Sequence, residues 1–295
     1  MPIARTRGYT RTATGALHYL QAGEGPPLLL LPQSGRSYVM FDGLIEALGP
    51  RFTLLTADLP GSGNSDPLPP GAGYKEIAAA FVALLDTAGV TRADVYGIHT
   101  GNKIAAALAA HWPERVRRIV LAGQSHSIIP DQKARNAAVL AHMSGQIDLD
   151  RTEATKVMPQ WAQLFRDMTG HWWRADVVAG LGSARLRSGL IARVIEDLQA
   201  FEGKPRLYAE NLAYDFGADL ARIRAPILLI EIATPAEDRD VGRQAGAVQA
   251  LVPRCRTIVL EAADGFALTL EDRVDEVADA LMHFLCGPPE HEEGP

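Results

Sequence analysis

Continuous apolar runs punctuate the chain: Pro26–Pro32 (PPLLLLP), Phe52–Asp58, Ala93–Ile98, Arg118–Gly123, Pro226–Ile232 and Arg256–Ala262. Short runs without polar alternation suit strands covered on both faces, as in a parallel sheet. Between them, Tyr38–Leu48, Tyr74–Ala88, Thr100–His111, Arg239–Val252 and Leu270–Leu285 carry apolar residues at helical spacing. Strand and helix taking turns in this way predicts an α/β fold, a mainly parallel sheet flanked by helices. Ahead of the first run, Tyr9–Thr12 and Ala16–Gln21 alternate apolar and polar positions, the pattern of an antiparallel pair at one edge.

The rhythm breaks after Gly123. From about residue 128 to 216 the pattern is helical, with stretches such as WAQLFRDMTGHWW and SGLIARVIEDLQAFEG and no buried-strand run. Residues 1–127 and 217–287 therefore predict one core domain, and 128–216 a helical insertion read as a lid over the site. A packed helical subdomain without a gating role is the alternative. Residues 288–295, acidic and rich in Pro and Gly, are expected to be a disordered tail.

Composition narrows the partners. Of 295 residues, 47% are hydrophobic and 22% charged, and the formal charge is -6, so no basic footprint suggests nucleic acid. Cys255 and Cys286 stand far apart, with no cluster of metal-ligand spacing and no dinucleotide-binding glycine motif; no metal and no cofactor are expected. No segment approaches the roughly 18 apolar residues of a membrane span, and MPIARTRGYT carries no signal-peptide core. The expected setting is cytoplasmic, away from membranes, and a homodimer is permitted.

VYGIHTGNKIA (Val95–Ala105) reads as a strand, a glycine-bounded turn and an alanine-rich helix. This is the layout of a nucleophile elbow, G-x-S-x-G, with His99 where the serine stands. With DLPGSGNSDP (Asp58–Pro67), APILLIEI (Ala225–Ile232) and EAADGFALTLEDRVDEVADALMHFL, the chain resembles the α/β-hydrolase family over nearly its whole length. The resemblance implies the α/β-hydrolase fold with a helical lid insertion. It also exposes departures. The family histidine position falls on Phe266 after Gly265, the acid position on Thr234 and Pro235, and the oxyanion-loop HG pair on Pro32 and Gln33. A Ser-His-Asp triad is missing, and ordinary serine acyl transfer is excluded.

What remains is the imidazole. A helix N-terminus disfavours an imidazolium, so His99 is expected to be uncharged near neutrality, able to act as base or nucleophile. A buried histidine satisfied by hydrogen bonds is the plainer alternative. The Thr100 backbone N–H stands at the oxyanion-hole position, with Gln33 or Ser34 as second donor. Glu231, near the end of a buried run, is a candidate to orient His99, and His126 a candidate second base; a strand-end and a loop polar residue are the alternatives. Asp238, Asp240 and Asp264 are further acidic candidates, otherwise surface charges. Phe266, Gln124 and Trp161 are candidate substrate contacts. Trp161, Trp172 and Trp173 could stack on a substrate or, more simply, pack in the core. Arg185, Arg187 and Arg193 could meet an anionic ligand or, more simply, form a solvated helical face. Asp58, Gly61, Gly63 and Ser65 form a turn. These residues point to an enzyme acting on a small, largely apolar carbonyl compound (ester, lactone or ketone), of hydrolase, C–C lyase or isomerase type. A non-catalytic small-molecule-binding pseudoenzyme or receptor is the alternative.

Overall fold

The computed structural model describes residues 3–123, 137, 195, 196, 198–200, 202–233, 242–261, 270 and 273–287. Eight strands form one sheet: β1 (Arg5–Thr12), β2 (Gly15–Ala22), β3 (Pro27–Leu31), β4 (Thr53–Ala57), β5 (Ala93–Ile98), β6 (Val116–Ala122), β7 (Ile227–Ala233) and β8 (Cys255–Glu261). Their order across the sheet is β1-β2-β4-β3-β5-β6-β7-β8. The β1–β2 and β2–β4 pairs are antiparallel and every other pair is parallel. Every residue of β5 and β7 is buried, and β3, β4 and β6 are buried over most of their length. Hence their unbroken apolar runs.

Helices cover both faces. On one side α2 (Tyr74–Thr87), α3 (Thr100–His111), α5 (Phe216–Leu220) and α6 (Ala245–Leu251) close over Val95, Ile119, Ile227 and Leu229. On the other, α1 (Asp42–Leu48) and α7 (Val274–Cys286) cover Tyr96, Val120, Leu228 and Ile230. Between α3 and α5 runs α4 (Lys204–Ala213). Among the described residues no helix is long and apolar enough to cross a membrane, and no group of three or more acidic, His or Cys side chains is arranged for a metal ion.

The sequence pattern misplaces several boundaries. The edge pair begins at Arg5, ahead of the expected Tyr9, because an edge strand needs no apolar face and Arg5–Gly8 are mostly solvated. The helix expected over Tyr38–Leu48 is a 3-10 turn, Tyr38–Phe41, followed by α1; the Ser37 hydroxyl accepts from Val39 N–H and starts the tighter turn. The helix expected from Arg239 begins at Ala245, since Gly242 takes a left-handed φ of 79° that no helix accommodates. Of the expected insertion, 128–216, the described residues are 137, 195, 196, 198–200 and 202–216, which include α4.

Candidate active site

Strand β5 ends inside the sheet at Ile98, and the chain must reverse into α3 within one residue. His99 makes that turn with φ 48° and ψ -103°, the one non-glycine positive φ among the described residues. Such a conformation costs an ordinary side chain about 1–3 kcal/mol. The surrounding packing enforces it. A Cβ at Gly97 would stand 2.5 Å from Gly101 O, and one at Gly101 would stand 2.1 Å from Leu31 O. Both glycines are therefore obligatory for the close approach of elbow, helix and β3.

His99 as a residue is half-buried. The nitrogen-bearing half of its ring lies over Gly123, just past β6: a Cβ there would be 2.5 Å from Cε1 and 2.7 Å from Nδ1. The His99 N–H donates to Ala122 O at 2.8 Å, and the His99 carbonyl accepts from Asn102 N–H at 3.1 Å.

Thr100 opens α3, and its Oγ1 accepts from the Ser34 hydroxyl at 3.0 Å. This bond ties the loop after β3 to the elbow. Gln33, half-buried, accepts from Arg36 N–H through its carbonyl at 3.2 Å. The structure thus brings His99, Thr100, Ser34 and the Gln33 loop together. Glu231 is buried near the end of β7, two strands from β5, where its Oε1 accepts from Gln244 N–H at 2.6 Å and Ala245 N–H at 2.7 Å. Those bonds place a carboxylate on the N-terminus of α6, a capping role that sequence reading did not foresee; the expected contact with His99 is not among them. Gln124, His126, Trp161, Trp172, Trp173, Arg185, Arg187, Arg193, Thr234, Pro235, Asp238, Asp240, Asp264 and Phe266 lie outside the described residues.

Several buried polar contacts escaped sequence reading altogether. The Glu196 carboxylate accepts from Arg36 Nε at 2.6 Å, from Ser37 N–H at 2.9 Å and from the Ser37 hydroxyl. All three residues are buried. Burial pushes the Glu196 carboxyl above its ordinary value, against the pull of the Arg36 guanidinium. Lys103, one turn into α3, is 1% exposed, and its Nζ donates to the Asn211 carbonyl near the end of α4. Tyr74 Oη donates to Asn211 Oδ1 at 3.3 Å. Burial pushes the Lys103 amine down to about 7. A third seam joins two glycines: a Cβ on Gly203 would lie 2.2 Å from Gly61 O. The chain returning from residues 195–213 is therefore stitched to the loops after β3 and β4 and to the elbow helix. The Gly61 loop is itself braced by Asp58, whose carboxylate accepts from Tyr38 N–H at 3.0 Å and Asn64 N–H at 2.9 Å and lies 2.9 Å from His18 Nδ1.

With this geometry the profile of the alpha/beta hydrolase fold matches residues 26–174. The chain belongs to the α/β-hydrolase fold family. Among curated proteins of this fold, it is 26% identical to a zearalenone hydrolase of Bionectria ochroleuca over 68% of this chain and 78% of that protein. Among solved structures, a hydrolase from Pseudomonas aeruginosa PA01 superposes with a TM-score of 0.72 at 22% identity, covering 96% of this chain and 99% of that one. The enol-lactonase of Burkholderia xenovorans LB400 gives 0.67 at 21% identity over 95% and 100%. The α/β-hydrolase family supplies the expected frame: a strand-turn-helix elbow at the carboxyl end of a parallel sheet, where ligands of such sheets bind.

Proposed function

We propose that the protein hydrolyses a small, largely apolar ester or lactone, with His99 as general base. The observation carrying this reading is the half-buried His99 held at a positive φ, with Gly97, Gly101 and Gly123 required by the close approaches around it. In the reaction, His99 takes a proton from water as its oxygen adds to the carbonyl carbon. The carbonyl oxygen takes the negative charge and is met by the Thr100 N–H at the positive end of α3, with Ser34 and Gln33 on the facing loop. The acyl C–O bond then breaks and the imidazolium returns its proton to the departing alkoxide.

The relatives' activities support the class: one is a zearalenone hydrolase and another structure an enol-lactonase. The natural test is a panel of aryl esters, enol lactones and zearalenone, followed by mass spectrometry of products against a protein-free control. Conversion of at least one lactone or ester is the expected result. Saturable binding with no product for any of them overturns catalysis and leaves the receptor reading.

A further inference from the structure

Asn102 stands at the third position of α3, on the first turn after His99. An asparagine there ordinarily turns to solvent or competes with the helix for its own backbone. This one is 2% exposed and reaches across to the end of β6. One amide hydrogen goes to Ala122 O at 3.1 Å and the other to Gly123 O at 2.9 Å, while Oδ1 accepts from Ala122 N–H at 3.0 Å. The three bonds fix which way the amide faces: reversed, its oxygen would confront two carbonyls.

The bracketed peptide is the one beneath the imidazole. Ala122 O accepts both from the His99 backbone and from Asn102, and Gly123, with φ 74°, carries the ring against its Cα. Gly123 N–H is anchored on the far side by Ile230 O at 2.8 Å. We propose that Asn102 is a positioning residue for His99, setting the tilt of the imidazole by holding the Ala122–Gly123 floor on which it rests. The inference rests on the reading of His99 as the reacting group only for its kinetic consequence. The position of the ring itself is a property of the unliganded protein.

The test uses Asn102→Ala and Asn102→Asp. The second keeps the shape but turns a carboxylate toward two carbonyl oxygens. Ring signals of His99 are followed by heteronuclear NMR in the free protein, assigned by their loss in His99→Ala. Both Asn102 variants should shift or split those signals. On a converted ester or lactone, kcat should fall by about 10–100-fold with KM changed by less than about threefold, because a misplaced base slows chemistry more than binding. The pH profile of kcat/KM should move with it. Should Asn102→Ala not fold, Asn102→Ser, which keeps one hydroxyl in the bracket, is measured in its place. Variants that melt earlier yet keep the wild-type ring signals, kcat and pH profile overturn the proposal. Shifted ring signals beside a fully active His99→Ala leave the positioning of the ring standing and remove the proposed function instead.

Discussion

Replacing Lys103 with methionine should stabilise the protein, and by an amount that depends on pH. The amine is enclosed between α2, α3 and α4, with the Asn211 carbonyl as its acceptor, and burial lowers it from 10.5 to about 7. Below about pH 7 both folded and unfolded chains hold the proton, and the folded state bears the whole cost of enclosing the cation. Between about 7 and 10.5 the unfolded chain holds a proton that the folded one lacks, so stability rises with pH across this window. At about 1.4 kcal/mol per decade the full gap is on the order of 5 kcal/mol, and the part expressed between pH 6 and 9 is about 2–3 kcal/mol. Methionine fills similar volume without a charge; it also leaves the Asn211 carbonyl unpaired at a cost of about 1–3 kcal/mol. The net gain is therefore largest at pH 6 and shrinks toward pH 9. Urea unfolding of both proteins at pH 6, 7, 8 and 9 measures it. The packing difference between the two side chains does not vary with pH and drops out of the slope. A stability difference that stays level across these four values would refute the reasoning.

Three further outcomes follow from single contacts. Glu231→Ala strips the carboxylate from the start of α6 and should cost about 1–2 kcal/mol in denaturant unfolding. Glu231→Gln keeps the accepting oxygen, so it should cost less than about 1 kcal/mol and leave the pH profile of kcat/KM in place; a displaced profile would give Glu231 the His99-orienting role. Glu196→Ala takes the buried carboxylate from Arg36 and Ser37 and should destabilise by about 3 kcal/mol or more. Calorimetry would show this as a melting temperature lower by several degrees, and an unchanged one would mean that Arg36 and Ser37 are equally satisfied without it.

The sheet was legible because its central strands are buried on both faces and write themselves as apolar runs: PPLLLLP, ADVYGI and PILLIEI all fall within or across observed strands. The tight turn from β5 into α3 was legible because Gly97 and Gly101 are required by approaches closer than any Cβ allows. The polar connections were not. Asn102 reaches residues 122 and 123, Arg36 reaches 196 and Lys103 reaches 211. A bond across 20 to 160 residues leaves no local period, and a lone Asn or Lys in an alanine-rich helix looks like one more solvated position. The bonds of Glu231 to the start of α6 were hidden in a related way. Its partners are backbone N–H groups whose availability depends on where α6 starts, and Gly242 moved that start away from the apolar pattern.

Turnover by His99→Ala bears most directly on the central claim. Measured on the best ester or lactone of the panel, with folding checked by its melting curve, the variant should lose at least about 10³-fold in kcat/KM, the scale of a lost general base at a preorganised site. A folded His99→Ala protein that retains kcat/KM within about threefold of wild type, too little for a lost general base, would contradict the account.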